Sequence, residues 1–224
     1  MSCWIASFDI GKKNFAFVIE EVDLESLKRI KNINKDERYN KDGTPTPKFS
    51  RILEELYKCG KIILIRNIDL TSNLSATKQK SYLDPKIYIN MIDELDKYKE
   101  YWGKCTHFII EKQMSFGKKH NTMALKLGQH CYSYFCFFYR DFKKVIEYPA
   151  YHKTQVLGAE KNEIKQKYYR KKWAVKKATE IITGRNDSTS LEVLNDKKKR
   201  DDMSDCLLMT ITFSYLCFVN KTKF

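Results

Sequence analysis

The stretch Ser7-Phe8-Asp9-Ile10-Gly11-Lys12-Lys13-Asn14 lies between two apolar runs, and its reading decides the fold. Residues 2–10 are apolar at both odd and even positions, the pattern of a strand covered on both faces. Gly11-Lys12-Lys13-Asn14 supplies turn residues, and Phe15-Ala16-Phe17-Val18-Ile19 resumes the apolar run. The opening therefore reads as a β-hairpin with a carboxylate, Asp9, just before its turn. Burying a charge inside such a strand is costly, so Asp9 calls for a reason.

Working outward, residues 23–60 are polar and charged, hold Thr44-Pro45-Thr46-Pro47, and read as an insertion ending in a helix over Phe49–Cys59. Ile62–Ile65 is a third strand, and Pro85 to about Trp102 a helix with proline in its first turn. Phe108–Ile110 is a fourth strand, closed by Glu111. A helix follows from about Thr122 to Tyr139, with the aromatic cluster Tyr132, Tyr134, Phe135, Phe137, Phe138 and Tyr139. Aromatics at helical spacing pack into a core or a subunit interface. Lys143–Tyr148 is a fifth strand. A basic helix around Lys171–Thr183, a polar loop over Gly184–Leu191 and a last helix from about Asp201 to Val219 complete the chain. There is no internal repeat. The order is that of an α/β protein of one domain, 1–224, with the charged insertion at about 23–60.

The chain has 224 residues, 42 Lys and Arg against 28 Asp and Glu, and a net charge of +14. A surface this basic attracts polyanions through counterion release. Between Lys161 and Lys177 stand eight basic residues against Glu163 alone, interleaved with Tyr168, Tyr169 and Trp173, and Lys197–Arg200 adds four more. Aromatics among lysines suit stacking beside a nucleic-acid backbone. A solvated helix face with its aromatics turned inward is the competing reading. The longest uncharged stretch, Cys206–Asn220, is short for a bilayer and carries Thr, Ser and Asn, so no membrane association is expected. The N-terminus shows no basic region or cleavage site of a secretory signal. Seven scattered cysteines without a Cys-x-x-Cys pair read as reduced core residues of an intracellular protein, and neither they nor the four histidines are spaced for zinc.

Three acidic positions stand out: Asp9 within a strand, Glu111 at the end of another, and Asp202 with Asp205 ahead of the last helix. Each admits a local reading, as turn former, solvated strand end paired with Lys112, or helix cap and dipole partner. Jointly, two mark C-terminal strand ends and the third is an i, i+3 pair on one helix face. If the strands are neighbours, the four carboxylates converge. Such a cluster repels itself unless it holds cations, and hard oxygen donors without Cys or His select Mg²⁺ or Mn²⁺. Two such ions serve phosphodiester cleavage. Acids that hold metals, flanked by lysines that hold a backbone, form the charge pattern of a nuclease.

The order Ser7-Phe8-Asp9-Ile10-Gly11-Lys12-Lys13-Asn14, Phe108-Ile109-Ile110-Glu111-Lys112-Gln113 and Asp202-Met203-Ser204-Asp205-Cys206-Leu207 resembles the Holliday junction resolvases of poxviruses and other large cytoplasmic DNA viruses, a RuvC-like branch of the ribonuclease H superfamily. Glu147–Lys153 resembles that family's fifth strand and the basic residue after it. The resemblance covers roughly 2–20, 104–158 and 195–219. It implies a ribonuclease H-like mixed sheet, the first three strands antiparallel and the rest parallel, flanked by helices. It implies a homodimer acting on four-way DNA with two Mg²⁺ ions per active site, Mn²⁺ substituting, in the cytoplasm of an infected cell. Carried over by position, Asp9, Glu111, Asp202 and Asp205 are the metal ligands, and Lys153 joins them as a catalytic residue. Asp201, at i to i+4 from Asp205, is the alternative to Asp202; the family's spacing favours Asp202. Lys12, Lys13, Lys112, Lys118, Lys119, Lys153, Lys171 and Lys172 are the candidate DNA contacts. The 23–60 insertion and the basic stretch 159–178 depart from the family's pattern. Another ribonuclease H-like nuclease, acting on RNA–DNA hybrids or in strand transfer, has the same metal chemistry, and a non-enzymatic basic DNA-binding protein shares the charge alone.

Overall fold

The structure is a computed structural model that describes residues 1–80, 84–113, 121–141, 143–196 and 200–224. Strands β1 (Ser2–Asp9) and β2 (Phe15–Asp23) form the expected hairpin, with Asp9 opposite Ala16. Strand β3 (Gly60–Ile68) extends it antiparallel to β2. On the other side of β1, β4 (Cys105–Lys112) runs parallel to it, and β5 (Lys144–Pro149) runs parallel to β4. The five-stranded order is β3-β2-β1-β4-β5. The mixed sheet is thus the one that the family resemblance implies.

Helices cover both faces, which is why β1 and β2 read as continuous apolar runs. On one face Ala6, Phe8, Phe15, Phe17 and Phe108 meet α4 (Pro85–Asp96), α5 (Lys99–Lys104) and α6 (Thr122–Tyr139), after the short helices α1 (Leu24–Arg29), α2 (Pro47–Lys58) and α3 (Ala76–Lys80) in chain order. Trp102 is fully buried there, with its indole N–H donating to the Leu95 carbonyl at 2.7 Å. Each such buried side chain contributes about 1.5–3 kcal/mol by leaving water. On the other face Ile5, Ala16, Val18 and Ile109 meet α10 (Arg200–Ser214), which runs on through a π-helical turn at Tyr215–Val219. By length and composition Arg200–Val219 is the one helix among the described residues that is apolar enough to cross a membrane. Here 78% of its apolar window is buried within the protein, and a helix apolar all round is what a core helix looks like.

Several helices depart from their predicted bounds. The stretch Pro85 to Trp102 is two helices, because the chain turns at Tyr98 (φ −114°, ψ 19°), whose ring packs 5.1 Å from that of Phe17. The segment predicted as an insertion carries α1 and α2. Thr46 caps α2 and Pro47 opens it, and Phe49, Ile52, Leu53 and Leu56 bury one stripe against the α10 core. Beyond β5 lie α7 (Tyr151–Val156), α8 (Lys167–Gly184) and α9 (Ser188–Asp196). Helix α8 begins a turn before its predicted start. Helix α9 takes the second half of the predicted polar loop, since Asn186 takes a left-handed turn (φ 55°) and Asp187 accepts from the Ser190 N–H at 3.0 Å. In α6, Tyr134 and Phe135 are core, whereas Phe137 and Phe138 are exposed. The end of α8 is tied to β2 by Arg185, whose guanidinium lies 2.6 Å from the fully buried Glu20. Neither Glu20 oxygen has an aligned hydrogen-bond donor, so charge rather than directed bonding holds this pair. Gly60 makes room for it: a Cβ there would run into the Glu20 carboxylate and the Arg185 guanidinium.

Candidate active site

Strand register brings the two strand-end acids together. Phe8 pairs with Ile110 in the parallel β1–β4 ladder, so the next residues, Asp9 and Glu111, stand side by side at the C-terminal edge. Alternation turns both toward the face that carries α10, as it does Ile5, Ser7 and Ile109. Buried polar contacts then fix where α10 lies. The Ser7 hydroxyl donates to the Cys206 carbonyl at 2.8 Å, the Thr210 hydroxyl to Ser7 Oγ at 2.9 Å, and the Tyr148 hydroxyl to Thr212 Oγ1 at 2.9 Å. Asp205, next to Cys206, is thereby held over the strand ends.

Lys153 completes the cluster. Glu111 pairs with Tyr148 across β4 and β5, so α7 begins beside the strand-end acids. The Lys153 ammonium lies 3.1 Å from Glu111 Oε1 and 3.0 Å from Asp205 Oδ2, with the residue only 6% exposed. Burial pushes the Asp9 carboxyl well above its ordinary range, and the charges of Glu111 and Asp205 add to that push. Burial raises Asp205 as well, against the pull of Lys153. For Glu111 burial also acts upward, but Lys153 and the hydrogen bonds from Asp9 and Gln113 outweigh it and hold the group low. Lys153 is disfavoured as a cation by burial, yet Asp205, Glu111 and Asp9 keep it firmly charged.

A second ion pair lies one turn earlier on α10. Lys171 of α8 contacts Asp201 directly and stands 3.8 Å from Asp202. Both aspartates lie within the first turn of α10, in keeping with a helix start near Asp201, and Asp202 and Asp205 lie inside that helix rather than ahead of it. The structure thus gathers Asp9, Glu111, Asp205 and Lys153 into one contact cluster and gives Asp202 a lysine partner beside it. Lys171, predicted to meet DNA, is half-buried in this internal pair, a role without a sequence signal because its partners lie about thirty residues away. Lys12 donates to the Gln79 carbonyl at 3.0 Å, while Lys13, Lys112 and Lys172 are exposed. Lys118, Lys119 and 197–199 lie outside the described residues.

The donor set fits a hard divalent cation in its chemistry: three carboxylates, two of them raised by burial and mutual repulsion, share a single ammonium and so carry surplus negative charge. In side-chain placement Lys153 stands at the centre, and among the described residues no three acidic, His or Cys side chains are set at metal-holding spacing.

A mixed 3-2-1-4-5 sheet, its first strands antiparallel and the rest parallel, with helices on both faces, is a ribonuclease H-like fold. The chain is similar in fold to the yeast mitochondrial Holliday junction resolvase Ydc2, with a TM-score of 0.56 and 13% identity over 97% of this chain and 82% of that one. It is similar also to Thermus thermophilus RuvC, with a TM-score of 0.53 and 11% identity over 98% of both chains. No family model matches the sequence. It is 31% identical over 246 aligned positions to the uncharacterized protein 170L of Invertebrate iridescent virus 6, across 97% of this chain and 91% of the relative. With the uncharacterized protein 97L of Invertebrate iridescent virus 3 the identity is 32% over 212 positions, across 92% and 96%. The chain belongs to the family of these iridescent virus proteins.

Proposed function

We propose that the protein is a metal-dependent endodeoxyribonuclease that cuts branched DNA of the four-way type, serving the recombination and replication intermediates of a viral genome. The observation that carries this reading is the Asp9, Glu111, Asp205 cluster at the C-terminal edge of the central strands in a chain of net charge +14. The likeness in fold to two resolvases supports the choice of branched DNA.

Asp9, Glu111 and Asp205 would hold Mg²⁺, or Mn²⁺ in its place, with Asp202 joining from the preceding turn. Two such ions, when bound, supply Lewis-acid assistance to hydrolysis of a phosphodiester. The chain's own residues do the rest. Lys153 orients Glu111 and Asp205 by its two ion pairs and lies where it can offset charge that builds on the scissile phosphate. Exposed Lys13, Lys112 and Lys172 neutralise backbone phosphates. Two nicks of like polarity require two equivalent sites, and each chain has one such cluster among its described residues, so the working unit is a two-fold dimer.

The test is cleavage of a labelled four-way junction, a linear duplex and an RNA–DNA hybrid, each with Mg²⁺ and with EDTA, by the wild type and by Asp9→Asn. Paired nicks in the junction, dependent on both Mg²⁺ and Asp9, support the reading. Preference for the hybrid would reassign the substrate, and no cleavage of any of them would sink the enzyme reading.

A further inference from the structure

Helix α8 departs from the pattern of the family that the sequence resembles, and its surface has a use of its own. Tyr168, Lys171, Lys172, Val175, Lys176 and Thr179 stand at i, i+3, i+4, i+7, i+8 and i+11, so they form one stripe along the helix. That stripe is one wall of a groove of about 1010 Å³ whose opposite wall includes Arg200 and Asp201 at the start of α10. From Tyr168 to Thr179 the stripe runs about 16 Å, the length of roughly five nucleotides of one strand at B-form spacing. Lys171 belongs both to the groove and to the ion pair with Asp201 and Asp202. The groove therefore reaches the first turn of α10, one turn before Asp205.

The aromatics of this helix divide into two kinds. Trp173 is buried and packs in the α10 core. Tyr168 is 63% exposed and Tyr169 44%, their rings 5.4 Å apart and edge to face, with the Lys172 ammonium 5.7 Å from the Tyr168 ring. Leaving two large rings in water is unfavourable unless a partner covers them. The lysines and Arg200 make that partner anionic, and rings beside cations in a track suit a strand whose bases are free to stack. A paired duplex keeps its base faces inside the stack.

We propose that the α8–α10 groove binds an unpaired DNA strand, with Tyr168 and Tyr169 stacking on its bases, and delivers that strand to the carboxylate cluster. The choice of DNA as the polyanion rests on the nuclease reading; the single-strand preference rests on the groove and its rings. At a four-way branch point the partner is the stretch of strand that opens at the crossover.

Fluorescence anisotropy in EDTA with a labelled 15-mer of thymidines, a 15-base-pair duplex and a four-way junction tests this. Tyr168→Ala/Tyr169→Ala should bind the thymidine strand about tenfold or more weaker, with duplex affinity within about twofold of the wild type. Tyr168→Phe/Tyr169→Phe should keep wild-type affinity, since stacking needs the ring and not the hydroxyl. Both rings are exposed, and circular dichroism establishes that the alanine variant keeps its fold. Unchanged affinity for the thymidine strand in the alanine variant, or an equal loss on duplex, would overturn the proposal. The nuclease reading fails separately: a wild type that grips the strand through its tyrosines yet never cuts a junction in Mg²⁺ would refute that reading and support the groove.

Discussion

The ammonium of Lys153 lies 3.0 Å from the carboxylate of Asp205, and its other flank meets Glu111 at 3.1 Å. Lys153, the basic residue after the fifth strand, is the internal counter-charge of an acidic cluster. Removing one partner of a buried pair leaves uncompensated charge and costs about 3–5 kcal/mol. Lys153→Met should therefore melt well below the wild type in EDTA and recover more than the wild type does on adding Mg²⁺. It should bind junctions normally and cut them slowly in single turnover. Equal melting curves in EDTA would remove Lys153 from the counter-ion role.

Asp9 behaves oppositely. Its carboxyl is held well above the ordinary range by burial and by the charges of Glu111 and Asp205, so a neutral side chain suits the metal-free cluster. Asp9→Asn should melt at or above the wild-type temperature in EDTA, lose the stabilisation by Mg²⁺, and cut at least about a hundredfold more slowly. Near wild-type cleavage by this variant would take Asp9 out of the site.

Lys172 and Lys176 are exposed on the groove stripe, whereas Lys171 is paired with Asp201 and Lys177 with Glu180. Lys172→Gln and Lys176→Gln should each lower the slope of log affinity against log salt by ~0.7 on single strands, with a smaller change on duplex. Lys177→Gln should leave it nearly unchanged. Identical slopes for the Lys172, Lys176 and Lys177 variants would mean that the ion-paired lysine and the lysines of the stripe are equivalent.

His107 lies against the rings of Phe213 and Phe218, 5.3 and 5.8 Å away. Burial, helped by the charge of Lys144, pulls it from 6.5 down to about 4. Between those values the unfolded chain binds the proton and the folded one does not, so stability rises with pH across that window. The contribution is complete above about pH 6.5 and is lost as pH falls toward 4. The melting temperature of His107→Gln should fall less than that of the wild type between pH 7 and pH 4.5. Parallel curves would show that His107 titrates alike in both states.

Phe137 and Phe138 stand exposed at the end of α6, 71% and 52%, with Lys99 over the Phe138 ring. A two-fold dimer built on this end should dissociate on Phe137→Asp/Phe138→Asp, read as a halved mass in light scattering at micromolar concentration. A wild type that is monomeric with and without junction DNA would exclude the dimer.

The sequence by itself determined the strands, because period and apolarity are local: β1 and β2 read as buried on both faces before any helix is placed. It marked Asp9 and Glu111 by the cost of a carboxylate at the end of such a strand. It could not place the helices whose signals are tertiary. The break at Tyr98 depends on where its ring packs against Phe17, and α9 depends on a cap that forms only after the chain turns at Asn186. Tertiary structure alone decided which charges meet. Lys171 and Lys172 are neighbours in the same basic run, yet the pairing of α8 with α10 turns the first onto Asp201 and leaves the second in solvent. Likewise Trp173 is core while Tyr168 and Tyr169 face water, since a helix presents successive side chains 100° apart and only packing selects the buried direction. The carboxylate cluster has the same origin: strand register and the Ser7, Cys206 and Thr210 contacts bring Asp9 and Asp205 together across almost two hundred residues, a distance that no local pattern encodes.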